Sequence, residues 1–268
     1  MPLRTLLLSL YFAVFGVSGK NLETKPAGEK QRLKISIVID DLGDNSVIAR
    51  QMLSVSEQMT AAILPHTPHA KLIAEFATAN GHEVIMHLPM EALSRPDLLG
   101  PGALLASMGK PDLQKTVMSS ASSVPFMVGF NNHMGSLLTQ DEEKMTWVME
   151  SAKQMGWYFL DSKTSESSVA QDIAGQLGIP AIGRDIFLDH HNGQEQLNLT
   201  NLISQRFEQA KKIARLRGHV VIICHPYPET LMFLQQHLPT LDSEYQMVSL
   251  SHLLPKRRTV EDYTYLSR

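Results

Sequence analysis

Cysteine is nearly missing from this chain: Cys224 stands alone among 268 residues. An intramolecular disulfide and a CxxC metal knuckle are thereby excluded, so any bound metal must take His, Asp or Glu as its ligands. A surplus of one charge is missing too. The formal charge is −3, from 24 Lys and Arg against 27 Asp and Glu scattered in both signs. That balance carries neither the basic footprint of a nucleic-acid binder nor a polybasic membrane surface. No internal repeat, low-complexity tract or break in composition marks a second domain. A long apolar run is lacking as well, since a bilayer span takes about 20 apolar residues. The apolar stretch from about Leu6 to Val17 is shorter; it follows Arg4 and precedes Ser18 and Gly19, the grammar of a cleaved export signal.

What is present suits a folded domain. Hydrophobic residues make up 43% of the chain, enough for a full core, and there are eleven histidines to serve as ligands. The expected organisation is a signal peptide over 1–19, a linker over 20–32, one domain over 33–255 and a tail over 256–268. The mature protein is then exported, periplasmic or secreted, with no stable membrane insertion after cleavage. Short apolar runs alternate with amphipathic stretches, the pattern of a parallel α/β sheet or barrel. The expected strands are "KISIVID", "TAAILP", "HEVIMH", "FMVGFN", "WYFLD", "AIGRDIFLD", "HVVIICH" and "QMVSLS". Helical patterns run between them, three of them stopping at Gly81, Gly156 and Gly218, where a helix C-terminus favours glycine. Thr139 with Glu142 and Glu143 reads as a helix start. The Pro- and Gly-rich stretch from Ser94 to Gly109 reads as a long loop, of the kind that tends to be functional or mobile.

The residues that follow the apolar runs carry the functional signal. They are Asp40 and Asp41, His87, the Asn131-Asn132-His133 run, Asp161, Asp185 and Asp189, and His225. In a barrel of parallel strands these exits converge at one end, where active sites are built. One polar exit is an ordinary turn or cap. A convergent set of carboxylates and imidazoles is the set that binds divalent metals and moves protons. His87 and Glu91 lie four apart, and with a helix starting just after His87 they would share one face; Glu91 is equally well read as a first-turn acid. His66 and His69 read as turn residues, and His190 and His191 as a loop pair. His82 and His219 precede strands and so belong to the opposite end; His252 lies near the end of the fold. Cys224 reads as a small buried hydrophobe.

"IVIDDLG", "GHEVIMHLPME", "GFNNHMGS", "YFLDS" and "VVIICHP", in that order, resemble the divergent branch of the polysaccharide deacetylases, the NodB-like carbohydrate esterases. The likeness runs from about Leu33 to Leu254. It implies a distorted (β/α) barrel of about seven parallel strands and a divalent metal, zinc in the usual case. The implied activity removes acetyl groups from an N-acetylated polysaccharide or other glycan. Carried over residue by residue, it makes Asp40 the general base, Asp41 and His87 metal ligands, Asp161 an acid that orients its partners, and His225 the general acid. Three departures stand out. Glu91 occupies the place of the family's second histidine, so the third ligand is either Glu91 or, preferably, His133. The arginine-containing third motif is absent from its usual place, and Pro226 stands where an acid usually follows the last histidine. These losses give the resemblance a second implication, an envelope protein that binds glycan or a protein partner with little or no turnover.

Overall fold

The computed structural model describes residues 32–191 and 198–255. The expected signal, the linker up to residue 31 and the tail over 256–268 lie outside the described residues. Within them, runs of β-branched residues make strands, each feeding a longer amphipathic stretch back across the sheet. The strands are β1 (Leu33–Leu42), β2 (Thr60–Ile63), β3 (Glu83–Met90), β4 (Gly129–Met134), β5 (Tyr158–Asp161), β6 (Ala181–Gly183), β7 (Ile186–Phe187), β8 (His219–Cys224) and β9 (Tyr245–Met247). The helices are α1 (Ser46–Leu53), α2 (Ala70–Ala79), α3 (Lys110–Ser122), α4 (Glu142–Met155), α5 (Ala170–Gln176), α6 (Leu199–Arg217) and α7 (Pro228–His237). All strand pairs are parallel, in the order β6-β5-β4-β3-β2-β1-β8-β7, with β9 added beside the start of β1. This is the curled α/β barrel implied by the family resemblance, with β9 and a divided sixth run raising the strand count.

Strand alternation sorts residues to the two faces of the curled sheet. In β1, Ile35, Ile37 and Ile39 join the large outer cluster under the helices, while Val38 joins a smaller inner cluster. Ile85 of β3, Leu160 of β5, and Val221 and Ile223 of β8 point inward with it. The same parity carries Asp40, His87, Asn131, Ser162 and His225 inward at the exit end. At the other end Leu250 closes the inner cluster, with Leu253 and Leu254 packed against it. There Glu83 Oε1 accepts from Tyr158 Oη (2.8 Å), Ser251 N (3.1 Å) and Thr60 Oγ1 (3.3 Å). His82 and His219 belong to this closed end, and the His252 ring bonds Ser249 there.

Four local expectations change. The run 181–189 is two strands, not one: β6 pairs β5, β7 pairs β8, and Arg184-Asp185 carries the chain from one sheet edge to the other. β4 runs over Gly129–Met134 rather than from Phe126 to Asn131, which draws Asn132 and His133 into the strand itself. The N-cap of α4 is Asp141, accepting from Lys144 N, while Thr139 is buried with its hydroxyl on Gly135 O. No helix begins after His87, because β3 stays extended through Pro89 to Met90.

Candidate active site

The two acids of β1 face one cavity because the strand is bulged between them. Ile39 pairs with Ala61 and Leu42 with Ile63, so β1 holds one residue more than its partner across that interval. Asp41 absorbs the irregularity with a left-handed φ of 57°. Gly43 is needed for a different reason: a Cβ there would lie 2.1 Å from Thr67 Oγ1. Asp41 is one of three non-glycine residues with positive φ that line the cavity, the others being Met134 (54°) and Lys163 (48°). Such sparsely populated backbone tends to collect where function over-determines the geometry. The cavity has a volume of about 390 Å³ and is open at the exit end of the strands.

Three donors from different strands meet on its floor. Asp41 Oδ1 lies 3.2 Å from His87 Nε2 and 3.1 Å from His133 Nδ1, and those two nitrogens are 3.2 Å apart. The far side of each ring fixes what its near side offers. Asn131 Nδ2 donates to Asp40 Oδ1 (2.9 Å) and Ser162 Oγ (3.1 Å), so its Oδ1 accepts from His87 Nδ1 (2.8 Å). His133 Nε2 donates to Leu98 O (3.1 Å) in the long loop. In their neutral forms both rings therefore turn lone pairs toward each other and toward the carboxylate. Asp41 Oδ1 is buried and makes no hydrogen bond. Three electron-pair donors aimed at one point repel unless a cation lies between them, so this set fits a divalent metal. Burial opposes charge on Asp41, but the His133 and His87 rings prevail and hold its carboxyl well below the usual range. Burial likewise opposes charge on His87, and Asp40 and Asp41 overcome it and raise the ring's affinity for a proton.

Asp40 and His225 complete the cavity. Asp40 is fully buried, and burial raises its carboxyl above the usual range despite His87 and His225. Its Oδ2 lies 3.6 Å from His87 Nε2. His225 follows β8 and is gripped by Asp189, whose Oδ1 takes Nδ1 at 2.8 Å while Oδ2 accepts from His225 N and Thr230 Oγ1, each at 2.7 Å. Burial opposes the imidazolium, yet Asp189, Asp41 and Asp40 raise it to about 9. Phe187 and Tyr227 both stack against its ring, with centroids 6.0 and 5.6 Å away. Nε2 is left facing the cavity, 4.0 Å from Asp41 Oδ2.

The remaining candidates fall elsewhere. Glu91 stays out of the donor cluster: its Oε2 accepts from Ala106 N at 2.6 Å, tying down the base of the long loop. Asp161 shares the outward parity of Phe159, so its carboxylate turns away from the cavity to accept from Lys163 N and Ser168 Oγ, both at 2.8 Å. The orienting work is done instead by Asp189 on His225 and by Asn131 on His87 and Asp40. Both were visible only as polar strand exits; the pairings depend on curvature that brings β4 to β1 and the exit of β7 to that of β8. Arg184 was not singled out from the sequence, and it lines the cavity with its guanidinium 3.8 Å over the Phe187 ring. His190 lines the rim, His66 lies against Ser120 outside, and Cys224 is buried on the outer face.

Comparison with known proteins bears on the family and the fold. Residues 37–254 match the model of the divergent polysaccharide deacetylase family. The uncharacterized protein YibQ of Escherichia coli K12 is 35% identical, over 82% of this chain and 67% of its own length. Among solved structures, an uncharacterized protein from Agrobacterium tumefaciens C58 superposes with a TM-score of 0.76 at 19% identity, covering 85% of this chain and 92% of that one. The Bc1960 peptidoglycan N-acetylglucosamine deacetylase superposes at 0.50 with 12% identity, covering 86% and 93%, a likeness of fold. With four-fifths of its length matched to the family and a relative of this identity, the chain belongs to the divergent polysaccharide deacetylases.

Proposed function

We propose that the protein is a metal-dependent hydrolase that removes N-acetyl groups from an envelope or extracellular glycan. The observation that carries this reading is the convergence of Asp41, His87 and His133 beside a buried carboxylate and a cavity-facing imidazole. A divalent cation held by those three residues, zinc by their imidazole-rich chemistry, supplies Lewis-acid polarisation and acidifies water.

The chain's own groups account for the proton movements. Asp40 is held by Asn131 and buried, so it is a stronger base than a solvated carboxylate and takes a proton from water as the oxygen attacks the acetamido carbonyl. Breaking the C–N bond expels an amine, a poor leaving group without a proton. His225, kept as an imidazolium by Asp189, delivers that proton from Nε2. Acetate and the free amine leave; Asp40 then loses its proton to solvent and His225 regains one. Phe187 and Tyr227 pack against the imidazole and hold its plane.

Acetate release from N-acetylated oligosaccharides by the metal-loaded protein tests the reaction, with Asp40→Asn as the comparison. Loss of most of the rate, about a hundredfold or more, is expected in that variant. A metal-loaded wild-type protein that releases no acetate across a broad glycan panel would leave the binding role in its place. Export, read from residues 1–19, belongs to the same proposal and is checked by cell fractionation.

A further inference from the structure

On the reading just proposed, Asp40 takes a proton from water, yet one acceptor alone does not fix where that water sits. Near Asp40 in the cavity wall is Ser162, which follows β5 and is 1% exposed. Its main chain is held at both ends: N donates to Asn132 Oδ1 (2.9 Å), and O accepts from Arg184 Nε (2.7 Å). Its Oγ accepts from Asn131 Nδ2 at 3.1 Å. Two consecutive asparagines of β4 thus grip one serine, Asn131 by its hydroxyl and Asn132 by its backbone. Satisfying Asn131 explains the oxygen of that hydroxyl. It does not explain the hydrogen, which finds no acceptor among the described residues. A buried donor without an acceptor is costly, so its place in the cavity wall calls for a task.

Asn131 Nδ2 gives its other hydrogen to Asp40 Oδ1 at 2.9 Å. The two hydrogens of an amide diverge in one plane, so the Ser162 hydroxyl and the Asp40 carboxylate stand about 5 Å apart. That is too far for a direct bond, but a single oxygen closes the span with two hydrogen bonds of ordinary length. Both side chains line the cavity, one as donor and one as acceptor. A carbonyl oxygen would use the donor alone and an N–H the acceptor alone; an oxygen that carries a hydrogen uses both. A sugar hydroxyl in that place would occupy the base and block its proton transfer, whereas water supplies the proton that the reaction requires. We infer that Ser162 is a catalytic residue, whose hydroxyl donates to the attacking water while Asp40 accepts from it. As the proton passes to Asp40, the electron pair left on the oxygen forms the bond to the acetamido carbonyl carbon. The hydrogen bond from Ser162 holds the oxygen in line through that step.

The test joins a high-resolution crystal structure of the metal-loaded wild-type protein to the kinetics of Ser162→Ala. An ordered water within hydrogen-bond distance of both Ser162 Oγ and Asp40 is expected in the wild type, and its loss or displacement in the variant. With an N-acetylglucosamine oligosaccharide, Ser162→Ala should lower kcat for acetate release by about tenfold to a hundredfold and leave KM within about twofold. Rates are compared per bound metal, with melting temperatures recorded, so that a kcat loss is not a loss of metal or of fold. The wild-type structure needs no variant to fold: if no water there touches both atoms, the assignment falls. A Ser162→Ala protein that keeps its kcat and raises KM also overturns it, because the hydroxyl would then belong to the sugar. Failure of the hydrolase reading looks different. A bridging water in wild-type protein that releases no acetate sustains the Ser162–Asp40 pairing and defeats the hydrolase, whereas acetate release without that water does the reverse.

Discussion

Asp189 and Asn131 perform parallel tasks on two histidines. Each accepts from Nδ1 at 2.8 Å and so commits Nε2 to the cavity, but one partner is an anion and the other a neutral amide. That difference sets the charge each ring carries. Because the folded His225 is raised to about 9 from an ordinary 6.5, its contribution to stability is complete below pH 6.5 and is lost as pH climbs through about 9. In metal-free protein, Asp189→Asn should return the His225 titration toward 6.5, read by NMR of the imidazole, and flatten stability between those limits. An unmoved titration would mean that Asp189 is not what holds the proton. At the metal, Asp41→Ala, His87→Ala and His133→Ala should each lose the bound divalent ion, measured by elemental analysis after dialysis, whereas Glu91→Gln should keep it. Full occupancy in His133→Ala would return Glu91 to contention. The residue types at the strand exits were legible because alternation along a strand is local. Which exit holds which was not, since Asp189 and Asn131 find their partners through the sheet's curvature.

At the scale of elements, the long loop after β3 acts as a clamp on the donor set. Glu91 fastens it twice, through Oε2 to Ala106 N (2.6 Å) and through N to Leu104 O (2.9 Å), and Leu98 in its middle supplies the carbonyl that orients His133. Glu91→Ala should therefore weaken metal binding by roughly tenfold through the second shell, while Glu91→Gln, which still accepts from Ala106 N, should not. Calorimetric titration of metal separates the two; equal affinities would detach the loop from His133. The bulge in β1 depends on the following turn in the same way. Gly43→Ala drives a Cβ into Thr67 and should cost about 1–3 kcal/mol in chemical denaturation. Neither feature could be read from the chain, where "HLPME" suggests a helical turn and "DDLG" a turn at the glycine. The ladder with β4 keeps the first extended, and the mismatch with β2 places the second at Asp41.

Over the whole molecule, the barrel has a working end and a closed end, and the sequence separates them by which side of each strand a histidine or acid falls on. The closed end depends on Leu250 and its neighbours sealing the inner cluster over the Glu83 hydrogen bonds. Truncation before Val248 should lower the melting temperature by several degrees even though the active site is left whole, because it exposes apolar surface and strips partners from a half-buried carboxylate. An unchanged melting curve would show that the inner cluster does not need its seal. Parallel topology was legible from the rhythm of apolar runs; the ring's point of discontinuity was not, because 181–189 looks like one continuous strand.

That discontinuity has a mechanical meaning. Every other neighbour in the sheet is held by ladder bonds, but β6 and β7 belong to opposite edges, joined by the covalent step through Arg184 and Asp185 and by the Arg184 guanidinium lying on Phe187. A ring with one unbonded joint widens there first, since opening it breaks no strand pairing. The width of the cavity is thus set at this joint, and amide hydrogen exchange along β6 and β7 should outpace that of β1 and β3.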